Sequence, residues 1–465
     1  MHNKTSGTSG APSPRGIVIA APSSNSGKTV ITLALLRALK RSGFAVAAAK
    51  TGPDYIDPAF QAAACGASCI NLDSWAMDRD QIQTLVARQL ADQRDENAFM
   101  VCEGVMGLFD GAANGIGSTA DLAAMMNWPV VLVVDVKGQS ASAAALISGF
   151  TTFRADTRIA GVILNRVGSD RHKQMIMDAC AKHLPDIPII GAVRRSTDLT
   201  LPERHLGLVQ AGEHRELDDF LDRAADIVAQ DVDLTAFAKL VSSQSSLTPQ
   251  TTANEPMPLG QSADIAPLGQ HIAIARDTAF AFAYRHLLDG WARAGATLSF
   301  FSPLNDEVPD PAADAIYLAG GYPELFAAEL ADASQFKVAM RTAAQNGVTI
   351  YGECGGYMVL GESLIDANGD RYEMLGLLAV ATSFAARKLH LGYRQATLAQ
   401  ATPFGPAGTV VRGHEFHYAS TLSENGTPFC HMKNAIGDDF GAAGLMRGTV
   451  FGSFFHVISA RPKDA

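Results

Sequence analysis

Three things are scarce in these 465 residues. No run of Lys and Arg stands out and the formal net charge is −10, so the basic stripe that tracks a phosphate backbone is missing and nucleic acid is not expected as a partner. No stretch approaches about 18 uninterrupted apolar residues, and the opening MHNKTSGTSGAPSPRG is polar where a secretory signal needs an apolar segment. No membrane association is expected, and the predicted location is the cytoplasm. Cysteine is thin, with six residues scattered at 65, 69, 102, 180, 354 and 430, which in a reducing compartment predicts thiols rather than a disulfide framework. Cys65 and Cys69 form a lone close pair with no second Cys or His pair at ligand spacing, so packing is a better reading than a metal site.

What the chain has is length and a recurring rhythm. Its size suits two domains of roughly 200 residues each rather than one core. GIVIAAP, FAVAAAKTG, NAFMVCEG, PVVLVVDV, IAGVILNRV and IPIIGAV recur with helical segments between them. Near-continuous Val, Ile and Ala runs without alternation predict strands buried on both faces, hence a parallel sheet with helical crossovers. From Val241 to Gln270 the periodicity stops and Ser, Thr, Pro and Gln crowd in, which predicts a linker. HIAIARD, TLSFFSP, DAIYLAGG and VTIYGECGG then predict four further strands, with ATLA, GHEFHYA and TVFGSFFHV as a more mixed continuation. The predicted organisation is α/β throughout: a tail at 1–15, a first domain at 16–240, a linker at 241–270 and a second domain at 271–465.

GIVIAAPSSNSGKTVITLALLRAL reads as strand, loop, Gly27-Lys28-Thr29 and an apolar-periodic helix. Backbone N–H groups of such a loop and of the helix N-terminus bind phosphate, Lys28 neutralises it, and the Thr29 hydroxyl can ligate magnesium. Ala21 and Pro22 stand where the usual motif carries its first glycine, a departure from the pattern. Magnesium takes oxygen ligands and borrows one or two carboxylates. KTGPDYIDP offers Asp54 and Asp57 after the second strand, and VCEGVMGLFDG offers Glu103 and Asp110 after the third. In an open parallel sheet these loops converge beyond the carboxyl ends of the strands. A single Asp in such a loop is ordinarily a cap or turn residue, Asp57 before Pro58 above all. Four acids on two adjacent loops exceed that need, and Asp57 and Asp110 are placed for substrate rather than metal.

With SSNSGKT, TGPDYIDP and EGVMGLFDG together, the chain resembles the dethiobiotin synthetase-like ATP-dependent enzymes, most closely the cobyrinic acid a,c-diamide synthases. The resemblance covers nearly the whole chain. It implies a P-loop ATP domain in which Ser23, Ser24, Asn25, Ser26, Gly27, Lys28 and Thr29 cradle the triphosphate. By the same likeness Thr29, Asp54 and Glu103 ligate Mg2+, and Asn165 of VILNRV contacts adenine, although an Asn ending a buried strand is as readily a turn former. Tyr55, Ile56, Asp57 and Asp110 are implied near the reacting carboxylate.

Far downstream, YGECGGYMVLGE sets Cys354 between a β-like run and a helix-like run. Strand, glycine, cysteine, glycine, helix is the order of a nucleophile elbow, which pushes the side chain out of the turn and aims backbone N–H groups at a substrate carbonyl. A lone Cys is more often a small buried hydrophobe, but Glu353 and Gly355-Gly356 are flanks a core position would not require. A thiol nucleophile needs a base, and His390, His414, His417, His431 and His456 all lie downstream; TVFGSFFHV offers His456 at the end of an apolar strand. GECGG followed by a late histidine resembles the class I glutamine amidotransferases, with their flavodoxin-like fold, and LAGGYPE extends the likeness. It implies Cys354 and His456 as the catalytic pair and Gly321 and Gly355 as oxyanion donors. Many of those enzymes carry an acid two residues after the histidine; here Ile458 stands there, so the third member is absent or supplied elsewhere. RGHEFHY also resembles the second domain of the diamide synthases, which leaves His414 and His417 between core residues and substrate or interface contacts.

An ATP-magnesium site and a glutamine-hydrolysing site on one chain predict an amidoligase: a carboxylate is phosphorylated to an acyl phosphate, and ammonia made at Cys354 attacks it. Free ammonia at neutral pH is mostly ammonium, so a sequestered path between the sites is expected. The resemblance alone names the substrate, the a and c acetate side chains of cobyrinic acid or of cobalt-free hydrogenobyrinic acid, with NLDSWAM nearer to the cobalt-free route. Two rivals stand beside it. The related cobyric acid synthases amidate other side chains of the macrocycle, and PDYIDP with GHEFHY speaks against them. A P-loop regulatory protein with an inactive glutamine domain is opposed by Cys354 and His456. The expected partners are ATP, glutamine and a corrinoid, with a homodimer left open.

Overall fold

A computed structural model describes residues 14–201, 203–204, 207–208, 210–211, 216–242 and 265–461. The expected tail up to residue 13 and the expected linker over 243–264 lie outside the described residues. The first unit is built on seven parallel strands: β1 (Gly16–Ala20), β2 (Val46–Thr51), β3 (Cys69–Leu72), β4 (Phe99–Glu103), β5 (Val130–Asp135), β6 (Ile159–Val167) and β7 (Ile189–Arg194). Their order is β3-β2-β4-β1-β5-β6-β7. The six long apolar runs become six of these strands because both faces are covered: Val18 and Ala20 enter one core, Ile17 and Ile19 the other. β3 is the strand the sequence pattern did not announce. Its four residues, CINL, are too short and too mixed for periodicity to separate from the preceding helix.

β1 is central, so the loop after it opens between β4 and β5. It leads into α1 (Lys28–Arg41), whose Ile31, Leu35 and Leu39 pack into the second core. The loop after β2 leads into α2 (Asp57–Cys65). The amide of Asn71 in β3 donates to the carbonyls of Gly52 at 2.9 Å and Asp54 at 2.8 Å, pinning that loop. All six cysteines are buried free thiols.

The second unit carries a ten-stranded sheet. His271–Ala275, Thr297–Phe301, Ala315–Leu318, Thr349–Glu353 and Val450–Ser453 run parallel. Asp439–Arg447, Thr427–Asn434, His390–Leu398, Val410–His417 and Phe455–Arg461 extend it antiparallel. One expectation changes here. TVFGSFFHV is two strands broken by a bend at Phe454, and His456 is the second residue of the latter strand, not the end of one. The first strand pairs with Thr349–Glu353, and the second lies on the far edge against Val410–His417.

The two units are sewn together by polar contacts. Tyr284 Oη donates to the Pro53 carbonyl at 3.0 Å, Tyr393 Oη to Asp73 at 3.0 Å, and Arg412 to the Trp75 carbonyl at 2.9 Å. Asp73 and Trp75 belong to NLDSWAM, so that stretch serves as a docking edge. Among the described residues no helix is long and apolar enough to cross a membrane.

Candidate functional site

The phosphate loop is braced from beneath. Gly27 takes φ 82°, a left-handed value that favours glycine, and the Asn165 amide nitrogen would lie 2.3 Å from any Cβ placed there. Asn165 donates to the Ser26 carbonyl at 2.9 Å, Arg166 to the Asn25 carbonyl at 2.9 Å, and the Ser26 hydroxyl to the Ser23 carbonyl at 2.9 Å. Asn165 is therefore in contact with the loop itself.

Beside the loop sits a buried ionic cluster. Glu103, at the end of β4 and wholly buried, accepts from Thr29 Oγ1 at 2.6 Å, Lys28 Nζ at 3.2 Å, Lys50 Nζ at 3.0 Å and Gln61 Nε2 at 2.6 Å. Lys50 also pairs with Asp57 and stands 4.0 Å from Asp54. Burial opposes the Glu103 charge, but Lys50 and Lys28 outweigh it and hold the carboxyl down to about 2. Burial, seconded by Asp54, pushes Asp57 up to about 7 against the pull of Lys50. The Lys50 ammonium pays for its own burial through Asp57 and Glu103, which raise its pKa well above the usual range. Asp54 Oδ1 accepts from the amides of Ile56 at 2.8 Å and Asp57 at 3.0 Å, fixing the entry to α2. Two ammonium groups, the Thr29 hydroxyl and the loop amides thus gather where β1, β2 and β4 end, an arrangement able to meet a phosphoryl group.

Lys50 and Gln61 belong to no motif in the sequence. The available signal was a lysine closing an otherwise apolar strand, VAAAKT, where a charge is costly unless paired.

The second centre is the turn at Cys354. The cysteine takes φ 48° and ψ −103° between the Thr349–Glu353 strand and the Gly355–Leu360 helix, a left-handed value that a non-glycine residue holds only under strain. Its amide donates to the Ser453 carbonyl at 2.9 Å. A Cβ on Gly355 would fall 2.9 Å from the Gly321 amide nitrogen, so the two glycines of the expected oxyanion pair are neighbours with no room for side chains. A Cβ on Gly320 would fall 2.9 Å from His456 Nε2 and 3.4 Å from the Cys354 Cβ, which brings the expected base and nucleophile to one corner. Burial, then Glu324, pushes the Cys354 thiol up, while the Gly355 N–H pulls the other way. Glu353, 1% exposed, places Oε2 3.5 Å from His456 Nδ1.

Where the two units meet lies a cavity of about 610 Å³. Asp54, Tyr55 and Asp110 line it from the first unit, and Tyr393, Arg394 and His414 from the second. Ile56 borders it too, whereas Asp57 does not and belongs to the Lys50 cluster. Asp110 is exposed there, its carboxylate accepting from the Gly107 amide at 2.9 Å. Met106, Leu391 and Phe440 give the cavity an exposed apolar rim. The two histidines of RGHEFHY divide: His414 faces the cavity with Nδ1 3.4 Å from Tyr55 Oη, while His417 is buried between the rings of His390 and Phe454 and binds Glu415 at 2.9 Å.

A P-loop α/β unit joined to a cysteine–histidine elbow unit defines a glutamine-dependent carbon–nitrogen ligase. Residues 17–209 match the CobQ/CobB/MinD/ParA nucleotide binding domain, and residues 271–463 the CobB/CobQ-like glutamine amidotransferase domain. The hydrogenobyrinate a,c-diamide synthase of Brucella anthropi is 54% identical over 445 residues, 96% of this chain and 98% of that protein. Its namesake in Rhizobium meliloti is 52% identical over 95% of this chain and 99% of that protein. The chain belongs to the hydrogenobyrinate a,c-diamide synthase family.

Proposed function

We propose that this chain amidates the a and c acetate carboxylates of hydrogenobyrinic acid, a cobalt-free corrinoid of cobalamin biosynthesis, with ATP and glutamine as co-substrates. The observation that carries the reading is the shared cavity: groups beside the phosphate loop and groups beside the glutaminase pair open onto one space with an apolar rim, suited to the face of a macrocycle. In this reading the loop from Ser23 to Thr29 holds the triphosphate by its amides, and Lys28 and Lys50 take the charge of the transferring γ-phosphoryl group. An acetate oxygen attacks that phosphorus and ADP leaves, giving an acyl phosphate. Ammonia then attacks the acyl carbon and inorganic phosphate departs. Asp110 and Tyr55 orient the acetate at the cavity wall, and Asp57 tunes Lys50.

The donors beside the loop fit a magnesium ion. They are all oxygen: the Thr29 hydroxyl and the Glu103 carboxylate, already 2.6 Å apart, and the carboxylate of Asp54. These three would hold Mg2+, which when bound offsets charge on the transferring phosphoryl group.

At the second centre His456 takes the Cys354 proton and the thiolate attacks the glutamine amide carbon while the amides of Gly321 and Gly355 face the oxyanion; the C–N bond then breaks, His456 returns the proton as ammonia leaves, and water hydrolyses the γ-glutamyl thioester to glutamate and the free thiol. The test is incubation with ATP, glutamine and hydrogenobyrinic acid, reading product mass. Two successive amide-for-acid exchanges, mapped to the a and c acetates, support the reading. Amidation of propionate side chains instead, or none, sinks it.

A further inference from the structure

Ile458 leaves the position two residues after His456 without an acid, yet a carboxylate stands beside the ring from the other direction. Glu353 immediately precedes Cys354, and its Oε2 lies 3.5 Å from His456 Nδ1. Both carboxylate oxygens are tethered: Tyr317 Oη donates to Oε2 at 2.7 Å, while Tyr351 Oη at 2.8 Å and the Val457 amide at 3.0 Å donate to Oε1. Val457 is the peptide next to His456, so Glu353 is tied to the backbone that carries the imidazole. Neither ring nitrogen of His456 has a hydrogen-bond partner among the described residues. Nδ1 is thus a buried polar atom facing a carboxylate, and Nε2 is left for Cys354.

We propose that Glu353 is the positioning residue of the glutaminase site: it holds His456 with its proton on Nδ1 and stabilises the imidazolium formed when Nε2 takes the Cys354 proton. This rests on the reading of Cys354 and His456 as the reacting pair. A purely structural role, accepting bonds from two tyrosines and one amide, would not need a charge, and burying a charge carries a desolvation cost that a neutral amide avoids. The carboxylate also repels a lone thiolate, so its value lies only in the thiolate–imidazolium pair. The other groups facing the ring are Tyr55, Tyr284 and His414, and Glu324 and Glu415 act on Cys354.

The experiment compares Glu353→Gln with the unaltered full chain, measuring glutamine hydrolysis against pH and amidation driven by ammonium chloride. Glutaminase kcat/KM is expected to fall by about 10²–10⁴-fold. Both limbs of its pH profile should move down, the imidazolium limb further because Glu353 faces that ring, while ammonium-driven amidation stays within about twofold. An unchanged glutaminase rate and profile overturns the proposal. If the variant loses ammonium-driven amidation as well, the double variant Tyr317→Phe, Tyr351→Phe decides, because it keeps the charge and loosens its tether. A selective glutaminase loss of about 3–10-fold with a shifted limb supports the proposal, and no change overturns it. Full glutamine use by Cys354→Ala would instead remove the reading on which the proposal stands.

Discussion

The phenol ring of Tyr55 lies 4.3 Å, centroid to centroid, from the imidazole of His456. Tyr55 comes from the loop between β2 and α2, beside Asp54, and His456 from the second unit's edge strand. Phe282 stacks on the same tyrosine at 5.5 Å, and the Tyr55 hydroxyl reaches His414 on the cavity wall. One side chain therefore touches His456 and lines the cavity where the corrinoid carboxylate would sit. On the proposed reading its ring would be a partition between the place where ammonia is released and the place where it is consumed.

Removing that partition should uncouple the two reactions. Tyr55→Ala is expected to raise glutamate released per amide formed several-fold, because ammonia and water exchange through the gap. Tyr55→Phe keeps the ring and should hold the ratio near its unaltered value. Glutamate and amide are counted in the same reaction, and an unchanged ratio in the alanine variant would show that the ring closes nothing.

Lys50 makes the second prediction. Lys50→Ala removes one of the two ammonium groups facing Glu103 and leaves Asp57 and Glu103 less compensated. Amidation should fall by about 10²–10³-fold with either glutamine or ammonium as nitrogen source. Glutamine hydrolysis by the folded variant should persist. Near-normal ammonium-driven amidation would remove Lys50 from the phosphoryl site.

The reverse split is expected of Cys354→Ala. Glutamine-dependent amidation should vanish while amidation from ammonium chloride at mildly alkaline pH stays largely intact, since ammonia from solution replaces the missing product. His456→Ala should behave alike with a trace of glutaminase activity. Retention of full glutamine-dependent synthesis by Cys354→Ala would make the strained turn a structural feature only.

Much of this site could be read from the chain because its parts are local. The P-loop, the acids after β2 and β4, and the GECGG turn are each contiguous, and each sits on a strand end that apolar runs announce. Lys50, Gln61 and Glu353 could not be read in the same way. Their roles depend on which strands become neighbours: Lys50 meets Glu103 because β2 pairs with β4, and Glu353 meets His456 because the bend at Phe454 returns the chain to the elbow. The two histidines of RGHEFHY look alike in sequence, but strand alternation and the packing of Phe454 send one to the cavity and the other into a stack.

The stack carries the last prediction. Glu415 binds His417 at 2.9 Å and Arg394 at 2.7 Å. Burial opposes its charge, but His417 and Arg394 outweigh that and hold the carboxyl at about 2, below its ordinary 4.5. A carboxyl depressed on folding contributes stability that is fully present above its unfolded value and is lost as pH falls from about 4.5 toward about 2. Glu415→Gln should therefore cost roughly 3 kcal/mol near neutral pH, lowering the thermal midpoint. The cost should shrink through that acid window until the two proteins unfold together near its lower end. Thermal midpoints across the window check this: a difference that stays constant with pH would mean Glu415 acts by packing, and its pairing with Arg394 and His417 would not be what holds this edge of the cavity.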